Sequence, residues 1–505
     1  MSPAEPQAVR VGLAAGAFGA ICDQMGAALV RAAHSANIKE RRDCSTAVFD
    51  PEGNLVMQAE HIPVHLGSMP ASVAEVSRRD QAPGRSWFLN DPYHGGSHLP
   101  DLTVVTPAFG SDGTLIGYAA NRAHHADVGG TTPGSMPADS RTLGEEGVVI
   151  PPRVLDDRAI DEVVALMRQP EQRRADLRAQ LAANSIGTQG LGSLEDRFGP
   201  DGLAGRMTEV IEYAARRTEA AIREIPDGTY SARDFLEGRE GDLELVLEVT
   251  VEGDRLRYDF TGSSSSDPGN LNCPRSVTEA ACYFATRVIA DPDAPASSGT
   301  FRPVEVVTTP GSLLEAAAPA AVVAGNVETS SRVADLCLAA FGRALGQGTM
   351  NNVTMGNDRF TYYETIAGGQ GAFPGSDGPD AVQVAMSNTL NTPIEALEIE
   401  FPMRVTEYSV RRESGGGGAS RGGDGVVREF EALEPMEFSL LTERRRHRPP
   451  GAKGGLPGEL GLNLLFRRDS DQPVTLLSKD SGRLEAGDTL RLETPGGGGY
   501  GAPGG

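Results

Sequence analysis

The chain has 505 residues, of which 39% are hydrophobic and 23% charged, with a formal net charge of −23. That balance suits a globular protein with a large core and excludes a nucleic-acid binder, which needs concentrated Lys and Arg. Its five cysteines include no CxxC pair, which argues against a zinc ribbon or a thioredoxin-like centre and suits reduced thiols.

Residues 8–36 predict a helix, with Ile21, Met25, Ala28, Leu29 and Ala32 at helical spacing. Gly, Asp23, Gln24 and Arg31 break this apolar region, and no run reaches the roughly 20 apolar residues of a membrane span. The N-terminus lacks the pattern of a signal peptide, so a cytoplasmic protein is expected, with no membrane or nucleic-acid partner. Two strands follow, STAVFD and NLVMQA, around the turn DPEG, and Asp43 stands just ahead of the first. Ser68 to Arg79 is a predicted helix with Pro70 in its first turn.

The chain is organised around the stretch from Asp91 to Gly130. It opens with DPYHGGSHLPD (91–101) and closes with NRAHHADVGG (121–130). Between them, LTVVTPAFGSDGTLIGYAA reads as two strands joined by a Gly-Ser-Asp-Gly turn. Two His-bearing loops thus hang on one hairpin, which brings His94, His98 and Asp101 near His124, His125 and Asp127. Seven of the eight histidines lie between His34 and His125, a crowding that packing alone does not explain.

From residue 156 to 225 the pattern is helical and charged, interrupted by the glycine-rich NSIGTQGLGSL (184–194). Near Ser231 it changes to strict alternation, with Leu243, Leu245, Leu247, Val249 and Val251, then Leu256, Tyr258 and Phe260, a strand hairpin. A boundary here divides the chain into an N-terminal lobe, 1–230, carrying the candidate site, and a β-rich C-terminal lobe, 231–505. Helices are expected at 276–290 and 330–345. ESGGGGASRGGDG (413–425) suits either close backbone approach to a ligand or flexibility, and ETPGGGGYGAPGG (493–505) reads as a mobile tail. The expected fold class is mixed α/β (α+β), with a helix-rich first half, a strand- and glycine-rich second half, and lobes packed as one module.

His98 and Asp101 are separated by two residues on a loop entering a strand. With Asp43 and one of the paired His124/His125 they make a two-His, two-carboxylate set suited to Zn²⁺, Mn²⁺ or Fe²⁺. The competing reading is a hydrogen-bonded polar cluster, with His61 and His65 as ordinary loop or packing histidines. Cys44 beside the site reads as structural. No GxSxG, GxxxxGK[ST] or strand–GxGxxG–helix unit occurs. TERRRHRPP (442–450) and GAKGGLPG (451–458) form a basic patch that suits either an anion or acidic neighbours. GNVETSSRVAD (325–335), NNVTMGN (351–357) and MSNTLNTPIEALEIEFP (386–402) supply amides and hydroxyls that either orient a ligand or cap helices.

These motifs, together with IKERRDCSTAVFD, HIPVHLGSMPASV, EEGVVIPP, YYETIAGGQGA and the closing PGGGGYG, occur in an order that resembles the hydantoinase B / 5-oxoprolinase family. That family includes the B-type component of ATP-dependent N-methylhydantoinases, with acetone and acetophenone carboxylase subunits as distant relatives. The resemblance implies ATP-dependent opening of a cyclic amide: a hydantoin, 5-oxoproline or a lactam. It implies that a partner of the actin-like kinase fold binds ATP and Mg²⁺ and phosphorylates the amide carbonyl, while this chain carries one or more divalent ions (Zn, Mn or Fe). The family's metal ligands map to Asp43, His98, Asp101 and His124. Nearness in sequence adds His94, His125 and Asp127 for proton transfer, and Asn326, Arg444, Arg445 and Lys453 for substrate or phosphoryl binding. The alternative is a subunit of an ATP-dependent ketone carboxylase. One departure stands out: relatives often carry His shortly before an MTNT-type motif, where this chain has Gln383 and then Ser387 for Thr.

Overall fold

The computed structural model describes residues 7–60, 62–470 and 472–504; His61 lies outside them. The first half is built on one antiparallel sheet of six strands: β1 (Cys44–Phe49), β2 (Leu55–Glu60), β3 (Ser86–Leu89), β4 (Asp101–Phe109), β5 (Leu115–His124) and β6 (Arg153–Leu155). Their spatial order is β2-β1-β5-β4-β3-β6. The helices of this half are α1 (Gln7–Ala32), α2 (Ala36–Lys39), α3 (His65–Ser77), α4 (Leu143–Glu146), α5 (Asp157–Val164), α6 (Pro170–Phe198) and α7 (Pro200–Ile222).

Strand alternation gives the sheet two apolar faces. Val48 and Ala119 join Phe18, Met25 and Leu29 of α1 and Ala183 and Leu191 of α6 in one core. Their neighbours Ala47, Phe49, Tyr118 and Ala120 join Leu66, Met69 and Val73 of α3 in another. By length and composition α1 is the one helix among the described residues that is apolar enough to cross a membrane; here one face of it is packed on the sheet.

Two local expectations are corrected. The glycines of 184–194 do not interrupt a helix, because α6 runs unbroken from Pro170 to Phe198. A Cβ at Gly187 would lie 2.5 Å from Met25 Sδ and 2.7 Å from Ala119 Cβ, and one at Gly190 would lie 2.8 Å from Ile21. At these glycines α1 and β5 pack against α6 with no room for a methyl group. Helix α3 starts at His65, earlier than expected, which leaves Pro70 inside it rather than in its first turn.

The second half begins with β7 (Gly228–Glu237), β8 (Asp242–Glu252) and β9 (Arg255–Asp259), followed by α8 (Arg275–Ala290), α9 (Ser298–Phe301) and β10 (Val304–Val307), which pairs parallel with β9. The alternating hairpin is β8–β9, with Leu245, Leu247, Val249 and Val251 all buried. A π-helical turn, Gly325–Thr329, leads into α10 (Ser330–Ala340). Then β11 (Asn352–Gly356) and β12 (Thr361–Glu364) join strands 436–441 and 479–484 in a four-stranded sheet, and a five-stranded sheet closes the chain. One core cluster runs from Ala47 to Leu441, across the boundary expected near residue 230. The fold is mixed α/β.

The mobile tail is also corrected. Gly496 to Gly499 are buried. The N–H groups of Gly497, Gly498 and Gly499 donate to the carbonyls of Gly423, Leu345 and Leu456. A Cβ on Gly497 would stand 2.0 Å from the Gln370 carbonyl oxygen, and one on Gly422 would stand 2.0 Å from that of Gly497. The two glycine-rich stretches therefore meet backbone to backbone, at distances only glycine permits.

Candidate metal centre

The sheet builds the centre directly. In the β4–β5 register Asp101 is opposite His124, and the His124 N–H donates to the Asp43 carbonyl at the head of β1. His98 enters from the turn before β4, where the Asp101 N–H donates back to its carbonyl. Three donor atoms converge: His98 Nε2 to Asp101 Oδ1 is 3.2 Å, His124 Nδ1 to Asp101 Oδ1 is 3.3 Å, and the two imidazole nitrogens are 3.2 Å apart. Metal–ligand bonds of about 2.0–2.2 Å at octahedral or tetrahedral angles put donor atoms about 2.9–3.5 Å apart, so the triangle fits a divalent first-row ion. Two imidazoles and a carboxylate are the donor types such ions take.

The charge states suit this use. Burial lowers the pKa of His124, against the opposing pull of Asp101 and Asp43, which favours the neutral ring a metal requires. Burial alone would push the Asp101 carboxyl up; the neighbouring His98 and the hydrogen bonds from His124 and His65 outweigh it and hold the group well below the usual carboxylate range. The second oxygen of Asp101 is fixed from behind, accepting from Ser97 Oγ at 2.6 Å and facing His65 Nε2 at 3.5 Å. Ser45 Oγ holds His65 Nδ1 at 2.8 Å. Such orienting partners are usual behind metal ligands.

The cavity in front measures about 20 Å³, room for an ion or one water but for no ring. Ile62, Val64, Val327 and Met350 form its apolar side, and Asn326, Thr365, Ser387 and Thr389 its polar side. Asp43 lines the cavity without joining the close cluster of donors, and its carboxylate lies 3.9 Å from the buried guanidinium of Arg41. Asn326 stands on the π-helical turn with Oδ1 buried and without a hydrogen-bond partner among the described residues. Ser387, which lines the cavity, donates its Oγ–H to Gln383 Oε1.

The other residues put forward from the sequence are placed elsewhere. Being adjacent to His124, His125 sends its side chain to the opposite side, where Nε2 meets Gln180 of α6 at 2.9 Å and burial lowers its pKa to about 4. Asp127 spends both oxygens on the backbone of Gly129, Gly134 and Arg168 and on the Arg168 guanidinium, which staples its own loop. His94 is about half exposed and bonds Asp91 at 2.7 Å. Arg444 is buried and committed to Asp234 at 2.7 Å and Asp335 at 3.0 Å. Arg445 bonds Asn463, Asn351 and the Glu443 carbonyl, and lines a separate cavity of about 560 Å³. Lys453 is exposed.

His65, read from sequence as a packing residue, joins the centre from α3. Tyr363, which sequence reasoning missed, joins it from β12. HIPVHLG and YYETIAGGQGA mark both stretches, but neither stands at a fixed spacing from His98.

A family model described as hydantoinase B/oxoprolinase matches residues 7–503. 5-Oxoprolinase 1 of Arabidopsis thaliana is 39% identical over 527 residues, covering 96% of this chain and 41% of that protein. The chain thus spans about two-fifths of the length of such relatives. The B-type component of a putative D-/L-hydantoinase from Pseudomonas sp. (strain NS671) is 30% identical over 539 residues, covering 99% of this chain and 90% of that one. The crystal structure of ATP-dependent caprolactamase from Pseudomonas jessenii matches with a TM-score of 0.91 at 27% identity, over 98% of this chain and 91% of that one.

Proposed function

Since the chain belongs to the hydantoinase B/oxoprolinase family, we propose that it is the metal-bearing subunit of an ATP-dependent cyclic amidohydrolase. It opens a hydantoin, 5-oxoproline or lactam ring whose carbonyl a partner has phosphorylated. The observation that carries this reading is the triangle of His98 Nε2, Asp101 Oδ1 and His124 Nδ1. A Zn, Mn or Fe ion held there, with Asp43 alongside, would supply a Lewis acid.

The chain's own groups do the rest. Asn326 Oδ1, buried and unpaired among the described residues, is an acceptor for a ring N–H, a contact that lowers the cost of burying both groups. The hydroxyls of Ser387 and Thr389 stand on the same wall and orient the ring's polar edge. Ile62, Val64, Val327 and Met350 exclude water, which strengthens the polar contacts around them. His65 Nε2, beside Asp101 Oδ2, is placed to hold a proton against that carboxylate. A ring exceeds the present cavity, so binding requires these walls to part. ATP and Mg²⁺ are assigned to a partner of actin-like kinase fold; the 5-oxoprolinases are more than twice as long, which leaves room for such a domain within one chain. The cytoplasm is the compartment this reading assigns, and it suits five free, buried cysteines.

Co-expressed with its partner, the chain is expected to drive phosphate release from ATP with 5-oxoproline, hydantoin or caprolactam, with one ring opened per phosphate. Phosphate release that requires bicarbonate and forms a C–C bond would assign it to the ketone carboxylases instead.

A further inference from the structure

Among the described residues, His124 has no partner for the hydrogen bond that ordinarily fixes a metal-bound imidazole. A ligating histidine usually donates its second ring N–H to a carboxylate or carbonyl, which sets the ring plane. His124 Nε2 is buried and bonds no protein group among the described residues. A ring contact stands in that place. The Tyr363 ring stacks on His124, with centroids 4.5 Å apart and planes inclined by 10°.

Tyr363 is itself held at three points. Its hydroxyl donates to Asn352 Oδ1 at 2.6 Å. Its carbonyl accepts from Arg41 Nη1 at 3.0 Å. The Arg41 guanidinium carbon lies over its ring, 4.5 Å from the centroid, a cation–π contact strengthened by burial. Arg41 is in turn tied to Thr365 and Thr389, each at 3.2 Å.

We propose that Tyr363 is the positioning residue of the metal centre: its ring, backed by the Arg41 cation, sets the plane of His124 in place of a hydrogen-bonded partner. This rests on the metal reading above. The role belongs to the flat ring rather than the hydroxyl, so Tyr363→Phe and Tyr363→Leu separate it from simple packing. The preceding residue supplies a control. Tyr362 points to the opposite side of β12, among Phe401 and Phe430 of a different core.

The test is chelator competition for Co²⁺ and Zn²⁺ on the purified full chain, together with the visible absorption of the Co²⁺ form. Tyr363→Leu is expected to weaken metal binding by roughly 10–100-fold, the range seen when an orienting partner is removed, and to shift the Co²⁺ spectrum as one nitrogen donor moves. Tyr363→Phe is expected to keep both near wild type. Tyr362→Leu is expected to lower the melting temperature and leave metal affinity unchanged. Tyr363→Leu binding like wild type, Phe losing as much as Leu, or Tyr362→Leu weakening binding equally would each overturn the proposal. A wild-type chain that takes up no ion would overturn the metal reading itself, and this inference with it.

Discussion

Asp101 and His124 are cross-strand partners, and their side chains meet 3.3 Å apart on one face of the six-stranded sheet. Slipping the β4–β5 register by one residue would turn one of the two to the other face. The pair is therefore as firmly placed as the sheet, and His98 reaches it by a single turn. Asp101→Asn keeps the shape and removes the charge. It is expected to reduce metal affinity by more than about 100-fold, beyond the range for orienting partners, as read by metal analysis after dialysis. Asp43→Asn, outside the close cluster, should cost less; an equal loss would make Asp43 a full ligand.

Glu328 gives a pH signature. Burial, reinforced by Glu443, raises its carboxyl from 4.5 to about 8. Below the unfolded value both states hold the proton and the group contributes nothing to the pH dependence. Between 4.5 and about 8 the folded state keeps a proton that the unfolded state has lost, so stability falls as pH rises, by up to about 1.4 kcal/mol per pH unit. Urea midpoints at pH 6 and pH 8 should differ in that direction, and Glu328→Gln should flatten the difference.

Arg444 separates an architectural cation from an anion receptor. Arg444→Met would take from Asp335 its hydrogen-bonded cation and leave Asp234 with Arg332 alone, and is expected to cost about 3–5 kcal/mol of stability. Lys453→Ala, on an exposed loop residue, should stay within about 0.5 kcal/mol. Denaturant midpoints read both; an Arg444→Met protein of normal stability with a raised KM would mark a ligand-binding residue.

Glycine substitutions should grade by what the new methyl meets. Gly187→Ala presses on Met25, whose thioether can move, and on Ala119, which cannot; about 1–3 kcal/mol is expected. Gly497→Ala meets the Gln370 carbonyl at 2.0 Å, where only backbone could yield. Soluble expression is expected for the first and lost for the second.

Much of the centre was legible because it is written in local patterns. Asp101 and His124 lie on one hairpin whose strands and turn are plain in the sequence, and His98 stands on the turn just before it. Between His124 and His125 the residues alone leave the choice open, and the structure sends the two rings to opposite sides. His65 and Tyr363 were not legible, because they arrive from α3 and β12 through tertiary packing, and no spacing along the chain encodes that meeting. The glycines misled for a related reason: in isolation they signal a break in a helix or a mobile tail, whereas Gly187 and Gly497 serve partners far away in sequence. Asp127 and Arg444 carry charges that resemble chemistry until their bonding partners are counted.

The interleaved glycine strands set an order of assembly. Pro495 and Gly498 bond Gly369, Ala372 and Leu345, bracketing the segment that supplies Met350, Tyr363 and Thr365 to the cavity. That wall receives ties from residues made long after it, so a nascent chain stalled before Gly496 would hold a completed first sheet beside an unfinished centre.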